Sequence, residues 1–239
     1  MAIGDFNNDG NQDLAATSFT GNSVSIRLGD GLGGFSGTTA VSVGAGPVGI
    51  AIGDFNGDGK QDLASANSTV GTVSIRLGDG LGGFSGTTDV ATSVQPGGVA
   101  IGDFNTDGNQ DFASSNEGVD TVSIRLGDGA GGFSGTTEVL VLFNPFSIAT
   151  GDFNNDGKQD IATADAGGNA ASFRLGDGLG DFPTAVGNVV GSSPRSIATG
   201  DFNKDGTQDF VTSAGGASGL SVGLGGCGLP NLIFANGFE

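Results

Sequence analysis

Residues 5–13 read DFNNDGNQD. The same nine-residue stretch returns as DFNGDGKQD at 54–62, DFNTDGNQD at 103–111, DFNNDGKQD at 152–160 and DFNKDGTQD at 201–209. Asp5, Asp54, Asp103, Asp152 and Asp201 each follow the last by 49 residues. A fixed period of this length is the mark of a solenoid, a propeller or a similar array, and it outranks local propensity as a signal. The rest of the chain keeps step. VSIRLGDGLGGF at 24–35 returns at 73–84, as VSIRLGDGAGGF at 122–133 and as ASFRLGDGLGDF at 171–182, and Pro47, Pro96, Pro145 and Pro194 hold the same phase. The expected organisation is one domain, 1–239, of five repeats at approximately 1–46, 47–95, 96–144, 145–193 and 194–239.

One repeat reads as four strands. In residues 98–143, GVAIGDF is a short apolar run, NTDGNQ a loop and DFASS a second strand. TVSIRLG then alternates Val122, Ile124 and Leu126 with Ser123 and Arg125, the period-two pattern of a strand with one buried face. DGAGG is a tight turn rich in glycine, and FSGTTEVLVLF a fourth strand. No segment shows a 3.6-residue period of helical length. Four short antiparallel strands in each repeat of about 40–50 residues give the blade pattern, so the expected fold is all-β, a β-propeller of five four-stranded antiparallel blades. NLIFANGFE at 231–239 stands where the fifth strand four belongs, and blade one is expected to pack on blade five. Phe6, Phe55, Phe104, Phe153 and Phe202 are expected in the cores between blades.

Composition narrows the function. The 49 glycines fall at fixed repeat positions, so they read as turn residues rather than as disorder. Net charge is −18 with no histidine, which argues against nucleic acid or an anionic membrane as partner. It favours cations: fifteen of the 23 aspartates belong to the five loops. Cys227 is the only cysteine, so no internal disulfide forms, and no apolar run is long enough for a membrane-spanning helix. Met1 sits directly on the first strand-like segment, so a native targeting signal is expected to lie outside these residues.

The loop follows D-x-N-x-D-G-x-x-D. Counting Asp5 as position 1, oxygens stand at Asn7 and Asp9, Gly10 makes the turn, Asn11 offers its carbonyl and Asp13 closes the set. This is the opening of an EF-hand loop, with Asp at position 9 taking the place of the missing bidentate Glu. The same ligand set is expected from Asp54, Asn56, Asp58, Lys60 and Asp62; from Asp103, Asn105, Asp107, Asn109 and Asp111; from Asp152, Asn154, Asp156, Lys158 and Asp160; and from Asp201, Asn203, Asp205, Thr207 and Asp209. The residue at position 7 varies because its backbone carbonyl is the ligand. All-oxygen ligands in a flexible cage suit Ca²⁺ better than Mg²⁺, with about five ions, one for each repeat. The competing reading is a set of Asp- and Asn-rich turns without metal.

DFNxDGxxD after a short apolar strand, the downstream VSIRLGDGxGxF and GAGPVGIAIGDFN at 44–56 resemble the FG-GAP/VCBS repeats of integrin-α-like propellers. The resemblance covers essentially the whole chain. It implies a calcium ion in the strand one–two loop of each blade and extracellular or cell-surface adhesion or ligand binding, often within something larger. The family more often forms seven blades, and the near-identity of these repeats points to recent duplication or a built sequence.

Loops between strands two and three, and between strand four and the next strand one, vary from repeat to repeat, whereas the metal-loop face is uniform. A varied face on a rigid ring is where recognition would sit, with Phe19, Glu117, Asp120, Phe143, Phe146 and Arg195 as candidates for a glycan or an extracellular protein. Arg27, Arg76, Arg125 and Arg174 are expected to pair with acids, and Asp30, Asp79, Asp128 and Asp177 to brace the hairpin turns. Three functions follow: a monomeric calcium-stabilised binding or adhesion module, a structural or engineered scaffold whose only ligand is calcium, and a lectin-like carbohydrate binder. The lack of Trp and Tyr weakens the lectin. The lack of His, and the repeat role of nearly every Asp, weaken any enzyme.

Overall fold

The computed structural model describes residues 1–216, 219–225 and 231–235. It contains twenty strands in five separate four-stranded sheets, each a simple antiparallel meander in chain order. Blade three illustrates the plan, with β9 (Pro96–Gly102), β10 (Asp111–Asn116), β11 (Thr121–Gly127) and β12 (Phe133–Leu140) side by side. The expected strand three is found residue for residue. Strand one begins two residues earlier, at the proline, and ends before the Asp–Phe pair, which belongs to the loop. The last blade is completed by β20 (Asn231–Ala235), as its place in the repeat predicts.

The middle strands are buried on both faces: in β11 Ser123 and Arg125 are buried along with Val122 and Ile124, while Leu126 is partly exposed, so the expected single buried face does not hold. Val122 and Ile124 are fully buried, and so are the strand-two residues Phe112 and Ala113 that lie beside them. In blade three the β11–β12 register shifts between Ile124 and Leu126, beside Gly135 at φ 86°. Gly37 and Gly86 occupy the matching bulges of blades one and two. Blade four carries Thr184 at this position, and its strands three and four pair without the shift.

The first strands of successive blades pack side by side. β1 (Ala2–Gly4) meets β5 (Pro47–Gly53), β5 meets β9, β9 meets β13 (Pro145–Gly151), and β13 meets β17 (Pro194–Gly200). Among the described residues β17 does not pack against β1 in this way, so the five blades form an open arc. This corrects the expectation that blade one closes on blade five. The phenylalanines report the same thing. Phe6, Phe55, Phe104 and Phe153 are 1–4% exposed, while Phe202 is 50% exposed. A neighbouring blade buries this ring, and among the described residues blade five has none on that side.

The first three interior interfaces repeat the same phenylalanine and glycine contacts. Phe6 meets Phe84 of the next blade edge to face at 5.6 Å, as Phe55 meets Phe133 and Phe104 meets Phe182 at 5.5–5.6 Å. The Gly82, Gly131 and Gly180 amides donate back to the carbonyls of Phe6, Phe55 and Phe104. The Asp5 and Asp54 amides donate to the side chains of Gln61 and Gln110 at 2.8 Å.

Candidate metal centre

The five repeated loops lie at the same end of their blades and share one conformation. Position 4 adopts left-handed backbone in every loop, whether it is Asn8, Gly57, Thr106, Asn155 or Lys204, and the glycine two residues on does the same. Two left-handed residues curl the chain tightly. The curl is held by the loop's own oxygens. The Asp5 carboxylate accepts from the amides of Asp9 and Gly10, Asn7 accepts from Asp9, and Asp9 accepts from Asn11 at 2.8 Å. The other four loops repeat this network. Position 5 is solvent-exposed, and in four of the loops hydrogen bonds favour its charged form. The Asn11 amide lowers the pKa of Asp9 below the ordinary carboxylate range, and the Lys60 and Asn109 amides do the same for Asp58 and Asp107. For Asp205 the Thr207 hydroxyl leads, followed by the Thr207 amide.

Position 9 is different. Asp13, Asp62, Asp111, Asp160 and Asp209 have no exposed surface. Each sits at the start of strand two and accepts two backbone hydrogen bonds. One comes from the loop phenylalanine and one from the glycine that ends strand three or directly follows it, all at 2.7–2.9 Å. The carboxylate therefore clamps three segments of its blade together. Burial pushes Asp111 and Asp160 up to about 6 and raises Asp62, against the opposing effect of those two amides. Among the described residues no three acidic side chains converge into a ready-made metal cluster. The loop thus brings positions 1, 3 and 5 together at the surface, with position 9 beneath them and already engaged.

Position 8 went unread in the sequence. It is glutamine in all five loops (Gln12, Gln61, Gln110, Gln159 and Gln208), and two of these demonstrably tie one blade to the one before. Its invariance across repeats, beside a position 7 that varies freely, was the available signal. The hairpin aspartates behave as expected: Asp30, Asp79, Asp128 and Asp177 each accept amides from within their own turns. Arg76 pairs with Asp89 at 3.1 Å and Arg125 with Glu138 at 2.9 Å, both within their own blades. Arg27 donates to the carbonyl of Ile26.

On the opposite face the six recognition candidates do not form one site. Glu117, Phe146 and Arg195 come together near the axis of the arc. The Arg195 guanidinium lies 5.1 Å from the centre of the Phe146 ring, and its charge acts on Glu117, whose pKa burial raises. Gly97 lies between Glu117 and the Phe146 carbonyl, and a side chain there would require Glu117 to shift. Phe19 instead lines a cleft with Thr69, Val70 and Val94. Asp120 accepts from the Asn144 amide, and Phe143 packs beside Gly167 and Gly168.

The FG-GAP-like repeat model matches residues 5–65, 54–114, 103–163 and 152–212 in tandem, and the chain belongs to this family of repeat propellers. No curated protein sequence matches it. Among solved structures it aligns with BBS1N in its complex with ARL6DN at a TM-score of 0.65 and 12% identity, covering 98% of this chain and 67% of that one. A protein from Lactobacillus plantarum aligns at a TM-score of 0.67 and 19% identity, covering 92% and 67%. The Vibrio cholerae biofilm matrix protein Bap1 aligns at 0.54 and 16% identity, covering 97% of this chain and 38% of that one. The fold is that of a β-propeller built from FG-GAP blades, a binding or scaffold architecture. No helix among the described residues is long and apolar enough to cross a membrane.

Proposed function

We propose that the protein is a calcium-stabilised extracellular binding module without catalytic activity. The observation that carries the reading is the recurrence, five times on one face, of an exposed curled loop bearing oxygen donors at alternate positions. In the first loop Asp5, Asn7 and Asp9 would hold the ion together with the Asn11 carbonyl. Each oxygen of Asp13 accepts one amide and keeps a second lone pair, so this residue fits the set from beneath. The donors are hard oxygens on a flexible loop, which suits Ca²⁺. A bound cation would offset the repulsion among the three carboxylates and brace the loop against the neighbouring hairpin turn.

The recognition surface in this reading is the mouth formed by Glu117, Phe146 and Arg195, where a cation, an aromatic face and an acid stand at the centre of the varied side. The ligand would be a glycan or an extracellular protein, and the fold likeness to a biofilm matrix protein fits that setting. Two measurements test the proposal. Titration calorimetry is expected to give about five calcium sites, and removal of calcium to lower the melting temperature by well over about 10 °C. A melt that does not move in chelator overturns the calcium reading. A glycan and matrix-protein array that stays blank with calcium present overturns the binding reading and leaves a scaffold.

A further inference from the structure

We propose that the Arg174 guanidinium of blade four is a binding site for a single carboxylate group brought by a ligand from outside the chain. The site lies apart from the Glu117, Phe146 and Arg195 mouth, and a comparison of Arg174 with its own repeats reveals it. In blades two and three the strand-three arginine is fully engaged. Arg76 Nε donates to the Ser42 carbonyl of the preceding blade, and Arg125 Nε to the matching Ala91 carbonyl. Their Nη1 groups donate to carbonyls of strands three and four. Their Nη2 groups donate to the strand-four acid, Asp89 at 3.1 Å or Glu138 at 2.9 Å, and a serine hydroxyl, Ser74 or Ser123, donates to the same carboxylate. The fold thus builds a carboxylate seat against strand three and in these two blades fills it from its own chain.

In blade four the arginine stays and the strand-four acid is gone. Arg174 lies in β15 (Ala170–Leu175), and Gly187 in β16 (Thr184–Val189) pairs with Ser172 where Asp89 pairs with Ser74 and Glu138 with Ser123. Among the described residues Arg174 forms no ion pair, and its Nε is buried without a partner. A desolvated guanidinium group left unbonded is costly, so an added acceptor is favoured. Asp165 on strand two does not refill the seat: it accepts from Thr163 and Ser172 and makes no ion pair with Arg174. Blade one also lacks the acid, with Ala40 at this place, but Arg27 still donates to the Ile26 carbonyl. Arg174 instead opens onto a cleft of about 450 Å³ between strand four of blade three and the Asp181–Pro183 segment of blade four. The lining names the ligand's chemistry. A carboxylate matches the planar fork of the guanidinium and is the group both sister seats hold. Glu138, Asp181 and Asp165 stand around the site, so a dianion such as phosphate or sulfate is repelled. Leu140, Phe182 and Pro183 offer apolar contact to whatever body carries the carboxylate.

The test is a titration of the full chain, with its arginine side chains isotopically labelled and calcium present. Isovalerate stands for a free small acid, and acetyl-Ala-Glu-Ala-amide for an acidic side chain of a partner protein. At least one of them is expected to shift the Arg174 Nε–H signal saturably, with a Kd on the order of 1–10 mM, and to leave those of Arg76 and Arg125 in place. The probe with the lower Kd names the source. The neutral isovaleramide, and sodium chloride at matched ionic strength, are expected to leave the signal unmoved. Arg174→Lys identifies the signal by its loss. Two further variants are read by saturation transfer to the probe's methyl protons. Arg174→Gln is expected to abolish binding. Gly187→Glu returns to blade four the acid that blade three carries, and is expected to weaken binding by at least about tenfold while the melting temperature holds or rises. No saturable shift with either probe up to about 100 mM, an equal shift with chloride, or binding that survives in Arg174→Gln or Gly187→Glu overturns the proposal.

Discussion

The two halves of one loop, written in the same residue type, do different work. Asp107 at position 5 is exposed, and its pKa is lowered by the Asn109 amide. Asp111 at position 9 is fully buried, and its pKa is pushed up to about 6 by desolvation. The first is positioned to meet a cation arriving from solvent. The second already answers two buried amides, those of Phe104 and Gly127. A carboxylate's role in this motif is thus set by whether strand two has begun: before it the side chain faces water, and at its first residue the side chain points into the blade.

Calcium removal gives the widest test of this division, because all five exposed half-loops respond together; the loss of well over about 10 °C expected above would come from them. Asp111→Ala is next. It leaves two buried amides without an acceptor, and each costs about 1–3 kcal/mol. The expected loss of about 2–5 kcal/mol, read from urea unfolding, should appear already in chelator, and part of the calcium-dependent stability should fall as well because Asp111 also completes the proposed ligand set. Asp107→Ala should behave in the opposite way. It is expected to remove about a fifth of the calcium-dependent rise in melting temperature and to leave the chelator melt unchanged. If Asp111→Ala mattered only in calcium, or Asp107→Ala mattered without it, the two halves would not be separate.

Much of this architecture was legible in the sequence because it is local. A 49-residue period, alternation in TVSIRLG and glycine-rich turns each speak of contacts within one blade. The closure of the ring was not legible. Near-identical repeats specify the same interface at every step, but the angle between steps depends on how β5, β9 and β13 pack near the axis. Phe202 shows the limit: its sequence context matches that of Phe104, and only the missing neighbour separates an exposed ring from a buried one. The repeated loop was legible as a pattern of oxygens, yet the pattern could not tell the exposed positions from the one that also clamps the blade. Burial showed that second role. The Glu117, Phe146 and Arg195 grouping is intermediate, since repeat variation singled out the loops that carry these residues but could not say which of the six side chains meet.

The smallest expected effect comes from the acids outside the loops that face the strand-three arginines. In blades two and three the arginine of strand three meets an acid on strand four, Asp89 or Glu138, and strand two carries Asn67 or Asn116 opposite. Blade four has Gly187 on strand four, and its acid has moved to strand two as Asp165, whose charge acts on Arg174. Asp165 is fully buried and accepts from the hydroxyls of Ser172 and Thr163. Burial is the largest influence and raises its pKa to about 6 from 3.8, outweighing those two hydroxyls and Arg174. A carboxyl whose folded pKa lies above its unfolded value stabilises the fold fully below the unfolded pKa. That contribution is lost as pH rises through the folded one. Between about pH 4 and pH 7 the unaltered chain should therefore lose on the order of 1–3 kcal/mol from this group, and Asp165→Asn should not. Loss of the anion near Arg174 acts at every pH above the titration and reduces the net gain. The variant's stability relative to the unaltered chain, from urea unfolding in chelator, is thus expected to rise from pH 4 to pH 7. A difference that stays flat across that window would mean that Arg174 holds Asp165 ionised throughout, and that moving the acid between strands left its charge as well supported as that of Glu138.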